Sequence, residues 1–336
     1  MVRSILIMIC AMLLIADAQA AGPTDLKAAN AAAEKGSSDD AIQLFTQALA
    51  AGDLSADDQF NARQGRGREY LAKSMIADTF ERHDEGRRQR ENAIADFSAA
   101  LGLRPDDVNA RLDRGQVYHL NQQYDLAVAD FSAALSHGKS PVILLQRAAS
   151  QRAKGAYDEA IADCTAALAG GTSDARLDVW DIYNERGYSE FLAGRFDAAA
   201  DDFDKAISLG ADSRTDDVLW LPYQIAWLHI SRARAGLIDA PELASLAAKV
   251  NLTQWPGTLI SFFLGRTRFE DVSAASNHGG MGRSRECNLS LFAGEDALAK
   301  GSTEQARGLI LRAHEVCNIH TLQYLVADVE LGRIKK

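Results

Sequence analysis

The chain has 336 residues, with 46 Asp and Glu against 36 Lys and Arg, a net charge of −10 and 47% hydrophobic residues. That apolar content excludes a disordered chain, which buries too little surface to offset its conformational entropy. The acidic balance excludes a duplex-binding face, because neutralising phosphates needs a basic surface, so no nucleic acid partner is expected.

Residues 1–20 read as a secretory signal peptide. Arg3 gives a basic start, Ile5 to Ile15 form an apolar run, and Asp17-Ala18-Gln19-Ala20 places small residues for cleavage after Ala20. Eleven apolar residues at about 1.5 Å each span only about half of a bilayer core, which disfavours a retained anchor. A lipoprotein signal would end its apolar run in Cys, whereas Cys10 lies inside the run. The mature chain has no stretch of eighteen consecutive apolar residues, so it is expected to be periplasmic or secreted, with no transmembrane segment after cleavage.

From residue 41 onward a phrase recurs. It reads Ala41-Ile42-Gln43-Leu44-Phe45-Thr46-Gln47-Ala48-Leu49, then Asp96-Phe97-Ser98-Ala99-Ala100-Leu101, then Asp130-Phe131-Ser132-Ala133-Ala134-Leu135, with 34 residues from Asp96 to Asp130. Further copies run from Ala160 to Leu168 and from Ala199 to Ile207. Small residues seven apart (Ala93 and Ala100, Ala127 and Ala134, Ala199 and Ala206) flank a position four after the first, which places all three on one helix face. Upstream stand Gly67 with Tyr70, Gly115 with Tyr118, and Gly187, whose small size lets two helices approach closely. A 34-residue helix–turn–helix unit of this kind resembles the tetratricopeptide repeat (TPR), although Trp is missing from its usual place in the first helix. Pro105 matches the family's terminal proline, which cannot continue a helix.

The resemblance implies an all-α fold, a right-handed superhelix of TPR-type hairpins forming a solenoid. The units are about 22–55, 60–107, 108–140, 141–173 and 180–213, with a degenerate sixth near 220–255. Residues 21–213 are thus expected to form the TPR solenoid, and 214–336 a degenerate TPR and C-terminal helical region. Gly115 precedes Ala127 by 12 residues but Gly67 precedes Ala93 by 26, so the second unit carries 14 extra residues around 76–90. Their charged run from Glu81 to Arg90 reads as a solvated helix end in preference to a partner site.

Beyond residue 213 the pattern drifts and bulky residues gather: Trp220, Tyr223, Trp227, Trp255, Phe262 and Phe263. Such a cluster fills a core or packing joint more often than it forms an exposed patch. Asn277-His278-Gly279-Gly280-Met281-Gly282 reads as a loop, since it lacks the Gly-Lys-Ser/Thr ending of a phosphate cradle. The repeat phrase returns from Ala306 to Ala313, twelve residues after Gly294. Cys287 takes the first position of that hairpin and Cys317 the thirty-first, so both fall at its open end and are expected to form a disulfide. Cys164 replaces the repeat's aromatic and is expected as a free, buried thiol.

The repeats together with Trp227-Leu228-His229, Arg232-Ala233-Arg234-Ala235-Gly236, Trp255-Pro256, Phe263-Leu264-Gly265 and Cys287 resemble the exported NlpI-like TPR proteins. That resemblance covers most of the mature chain. It implies a helical scaffold, often homodimeric, that gathers envelope peptidases and peptidoglycan hydrolases. The best-known members are lipid-anchored, and the box for that anchor is absent here.

Catalytic and metal motifs are missing. His314-Glu315-Val316-Cys317-Asn318 fails the zinc-protease spacing, and the cluster His314, Cys317 and His320 competes with the expected disulfide. There is no Gly-x-Ser-x-Gly elbow, and acidic pairs such as Asp201-Asp202 and Asp216-Asp217 read as solvated helix ends and loops. No enzyme activity, cofactor or metal is therefore expected.

Surface remains, because stacked hairpins present first-helix side chains along a concave groove. First-helix positions outside the packing motif are Asn61, Gln64 and Arg68, then Asn109, Leu112, Gln116 and His119, then Arg152, then Asp181, Asn184 and Tyr188. Amides suit a peptide backbone, and Leu112 and Tyr188 offer apolar contact, so proteins or peptides are the expected partners. The Lys-then-Asn pair of chaperone-tail-binding TPR proteins is absent at Leu112 and Gln116, so no carboxylate clamp is expected. Two alternatives place function in region 214–286: an envelope enzyme, or a glycan-binding module stacking Trp220, Trp227 and Trp255 on sugar rings.

Overall fold

The computed structural model describes residues 21–80, 82–170, 177–210, 220–237, 240–276, 282–319 and 321–335. The signal segment 1–20, the pair Asp216-Asp217, the glycine-rich stretch at 277–281 and His320 lie outside the described residues. Among the described residues there are 17 helices and no strand. No helix there is long and apolar enough to cross a membrane. The chain divides into two compact units, Met1–Lys139 and Ser140–Lys336.

Unit 1 is three helical hairpins: α1 (Ala21–Glu34) with α2 (Ser38–Ala51), α3 (Ala56–Thr79) with α4 (His83–Leu103), and α5 (Val108–Leu120) with α6 (Tyr124–Leu135). Local chemistry sets the starts. The Ser55 hydroxyl accepts the Asp58 N–H at 3.0 Å ahead of α3, and Asp107 accepts the Ala110 N–H at 2.8 Å ahead of α5. Phe45, Phe97 and Phe131 are fully buried between pairs of fully buried alanines. Each such ring contributes about 2–3 kcal/mol of burial. Gly115 exists for the third ring, because a Cβ there would stand 2.6 Å from the Phe131 side chain.

The 14 extra residues of the second repeat lengthen both of its helices. α3 has 24 residues and α4 has 21, against 13 and 12 in the next hairpin. The charged run is partly solvated, as expected of a helix end: Arg82 pairs with Glu85 and Arg87 with Asp84 on the surface. Arg90 departs from that reading. It is 5% exposed and donates to Asp78 and, at 3.4 Å, to Asn121. Met75, Ile76 and Phe80 are exposed along the last turns of α3.

Unit 2 begins with two more hairpins, α7 (Pro141–Ala153) with α8 (Tyr157–Ala169) and α9 (Val179–Ala193) with α10 (Phe196–Gly210). α11 (Trp220–Arg234) packs on α10 and is followed by three short helices, α12 (Ala240–Ala247), α13 (Gly257–Phe263) and α14 (Phe269–Ser276). The hairpin of α15 (Gly282–Ala299) and α16 (Thr303–Val316) and the last helix, α17 (Leu322–Ile334), complete it. One large core joins these elements, with Phe191, Phe203, Ile225, Trp227, Leu259, Phe292 and Ile310 all buried. A disulfide joins Cys287 to Cys317 with Cα atoms 4.9 Å apart. Cys164 is free and buried, and burial pushes its thiol well above the ordinary range.

Candidate binding surface

The first helices of the four internal repeats are held by one recurring device. An Arg immediately before the small first-helix residue makes two parallel bonds to an Asp immediately before the second-helix aromatic or Cys164. The pairs are Arg66 with Asp96, Arg114 with Asp130, Arg147 with Asp163, and Arg186 with Asp202, all at 2.7–2.8 Å. Arg66, Arg114 and Arg186 also reach a hydroxyl on the preceding second helix: Arg66 to Thr46 at 2.9 Å, Arg114 to Ser98 at 3.1 Å, and Arg186 to Thr165 at 3.2 Å. Each of those three therefore clamps three helices at once. Hydrogen bonding to Asp holds all four arginines above their ordinary value, against desolvation. Burial pushes the Asp202 carboxyl up as well, opposed by Arg186. Two short, parallel bonds fix each guanidinium against its carboxyl group in one orientation.

The terminal hairpins lack the clamp. Its Arg and Asp positions are filled by Ala28 and Leu44 in the first hairpin, and by Ala293 and Leu309 in α15–α16. Asp204 stands after Phe203, where the earlier copies have Thr46, Ser98 and Thr165, and no clamped repeat follows α10. The sequence contains this signal at repeat spacing, but a periodicity of apolar and small residues does not register it.

On this frame the expected surface residues fall into two sets. In unit 1, Asn61 and Asn109 are exposed, and Leu112 and Gln116 are half-buried. Gln64 and Arg68 turn to Asp113 of α5, at 3.5 and 2.7 Å. Burial pushes the Asp113 carboxyl up, while Arg68 and Gln64 oppose it. His119 tilts against Tyr124 with ring centroids 5.5 Å apart.

In unit 2, Arg152 makes two bonds to Glu185, at 2.5 and 3.2 Å. Burial works against its charge, and Glu185 outweighs burial. Asn184 is 6% exposed and Asp181 half-buried. Tyr188 packs its ring on Phe203 and Trp227, and its hydroxyl accepts from Gln224 at 3.4 Å. Burial raises the Tyr188 phenol, partly offset by Gln224. Asp113, Glu185 and Gln224 were not among the expected residues, since a single helix face does not show which side chain of the next repeat will meet it.

The sugar-stacking alternative loses its platform. Trp220 and Trp227 are 8% and 2% exposed, and half-buried Trp255 donates its indole N–H to Tyr223 at 3.1 Å. Trp227 stands among Phe191, Phe203, Tyr188 and Phe292, so these rings fill the core. At the end of the chain, His314 stacks on Tyr324 and faces Asp328 at 3.4 Å.

A family model described as tetratricopeptide repeat matches residues 82–142 and 145–214. The solved structure of a tetratricopeptide repeat protein from Parabacteroides merdae aligns with a TM-score of 0.56 at 12% identity, covering 92% of this chain and 99% of that one. The apo form of the quorum sensor NprR from B. thuringiensis aligns at 0.53 and 12% identity, covering 94% of this chain and 86% of its own. At such identities the likeness shows the fold alone. No curated protein sequence matches the chain. The repeat frame, its clamps and these matches make residues 82–142 and 145–214 tetratricopeptide repeats, within a helical solenoid fold of the kind consistent with a protein-binding scaffold.

Proposed function

We propose that the protein is a non-catalytic exported scaffold that binds proteins or peptides through the first-helix faces of its repeats, and that it gathers cell-envelope peptidases or peptidoglycan hydrolases. The observation that carries this reading is the open row on α3 and α5 of unit 1. Asn61, Asn109 and Gln116 make no side-chain hydrogen bond among the described residues, and Leu112 lies beside them half-exposed. Three amides offer donors and acceptors to a peptide backbone, and the leucine offers an apolar contact. The export signal at residues 1–20 and the resemblance to NlpI-like proteins supply the compartment and the class of partner.

Affinity capture with mature 21–336 from its own envelope extract tests the reading, with Asn61→Ala, Asn109→Ala and Gln116→Ala combined as the control. These three side chains contribute little to packing, so the variant is expected to keep the wild-type melting temperature. Retention of defined peptidases or hydrolases by the wild type, with at least a tenfold loss in the variant, is the expected result. Equal retention by both would move the binding surface elsewhere. No retained protein in either sample would reject the scaffold and turn attention to enzyme assays on region 214–286.

A further inference from the structure

Four ionisable side chains from three helices meet inside unit 2, outside the repeat frame. Arg234 closes α11, Glu295 lies about one turn before the end of α15, and Glu330 and Arg333 lie near the end of α17. Glu295 is 0% exposed and Glu330 1%. One nitrogen of Arg234, Nη1, donates to Glu295 Oε2 and, at 3.2 Å, to Glu330 Oε2. Arg333 donates through Nη1 to Glu330 Oε1 and through Nη2 to the Leu192 carbonyl at the end of α9. The Phe196 ring lies under both guanidiniums, 4.3 Å from Arg234 and 5.9 Å from Arg333.

The cluster is unevenly shared. Arg333 is committed to Glu330 and to the backbone, so Glu330 faces two guanidiniums while Glu295 shares only one. The second oxygen of Glu295, Oε1, is buried with no hydrogen-bond partner among the described residues. A carboxylate in that setting lacks the bonds that would offset its desolvation, and the neutral acid is the form the site accommodates.

We propose that Glu295 is a proton-controlled latch for the C-terminal helix: α17 is seated on α11, α15 and the end of α9 while Glu295 is protonated, and it loosens when Glu295 ionises. Glu330 and Arg333 are the ion-pairing groups that α17 contributes to this joint, so a charge appearing beside them acts on α17 first. Its other attachments there are the apolar contacts of Val326 and Ala327 and one neutral hydrogen bond, from Gln323 to Asn288 of α15 at 3.0 Å. The surrounding ionisable groups are otherwise engaged. Asp296 turns to His229 of α11 and to Lys300. α13 carries none, Asp271 of α14 pairs with Arg268, and on α16 Arg312 pairs with Glu286 and His314 with Asp328. At the α9–α10 turn Glu190 pairs with Arg195, and Tyr157 of α8 is within electrostatic reach of Arg333.

Burial first, and then the charge of Glu330, push the Glu295 carboxyl up to about 8 from an ordinary 4.5, with Arg234 opposing. A group raised in the closed form favours closure below its free value and loses that contribution as pH rises through the closed-form value. The opening constant of α17 therefore climbs about tenfold per pH unit between about 5 and 8, and then levels.

Amide hydrogen exchange on mature 21–336 between pH 5.5 and 9, corrected for intrinsic exchange rates, reads this directly. Protection in 322–334 is expected to fall about tenfold per unit until near pH 8, while protection in α7 stays level. Glu295→Gln keeps the shape without the charge and is expected to flatten the profile. Glu330→Gln leaves Arg234 to Glu295 alone and is expected to move the levelling point to lower pH. Constant corrected protection in wild-type α17 overturns the proposal, as does a wild-type slope in Glu295→Gln. Should Glu295→Gln fail to fold by circular dichroism, the wild-type profile and the direction of the Glu330→Gln shift decide the matter.

Discussion

At the scale of single residues, the ordering device of the repeats is a guanidinium that meets one carboxylate twice. The Asp130 side chain is 6% exposed and Arg114's 20%, so removing the arginine leaves a charge that water reaches poorly with Arg111, at 3.8 Å, as its remaining ion-pair partner. Arg114→Ala is expected to lower unfolding free energy by about 3 kcal/mol in urea denaturation. Arg87→Ala, which breaks a surface pair with side chains 60% and 80% exposed, is expected to leave the midpoint unchanged. The clamp was visible in the chain as Arg66-Gly67, Arg114-Gly115 and Arg186-Gly187, and as Asp96-Phe97, Asp130-Phe131 and Asp202-Phe203. It is not read from the chain because charge at repeat spacing is ordinarily surface, and only the fold brings residues 16 apart, or 30 apart for Arg66 and Asp96, into a bidentate pair. The same limit applies to Arg68 and Arg152, which the sequence presents as open surface and which instead face Asp113 and Glu185 across to the next first helix.

At the scale of elements, the hairpin turn obeys a rule with one exception. In the hairpins without the insertion, the residue seven after the small first-helix position has a left-handed backbone: Gly36, Gly155, Gly194 and Gly301 have φ of 75°, 87°, 82° and 75°. In α5–α6 the place belongs to Gln122, at φ 59°. An L side chain pays about 1–2 kcal/mol there, and glycine loses part of that gain to its freer unfolded state. Gln122→Gly is thus expected to stabilise unit 1 by about 0.5–1 kcal/mol, measured as a rise in denaturation midpoint at unchanged slope. Element boundaries in the repeats were legible because glycine, alanine and aromatic spacing is dictated by how closely two helices approach. Arg90 of the insertion was not legible, since burial depends on Asp78 and Asn121, which belong to other elements. The short helices α12 to α14 have no repeat phrase to reveal them, only the bulky composition of a packed joint.

At the scale of the molecule, the fold class was legible and the chemistry of the C-terminal joint was not. Glu295 and Glu330 stand 35 residues apart with no period linking them, and nothing in either neighbourhood announces a shared arginine from α11. The cysteine pair was more accessible, because hairpin geometry returns the first and thirty-first positions to one end. Unfolding mature 21–336 without reductant is expected to expose one titratable thiol, Cys164. Replacing both Cys287 and Cys317 by Ser is expected to lower stability by about 3–4 kcal/mol in the chain-entropy account of a loop this long, read from urea denaturation of the two proteins.

The clamp also bears on how such a chain changes length. For Arg66, Arg114 and Arg186 the clamp's bonds run to the residue's own hairpin or to the second helix just before, as Arg66 reaches Asp96 and Thr46, and Arg114 reaches Asp130 and Ser98. Copying one period in tandem hands the new arginine a matching hydroxyl behind it and gives the following repeat the same partner it had before. A gene duplication in phase with the repeat therefore creates no orphaned charge, whereas an insertion that splits an Arg from its Asp does. The extra residues of α3 and α4 separate Arg66 from Asp96 in the sequence, and they are tolerated because both helices grew together and kept the two ends of the clamp in register.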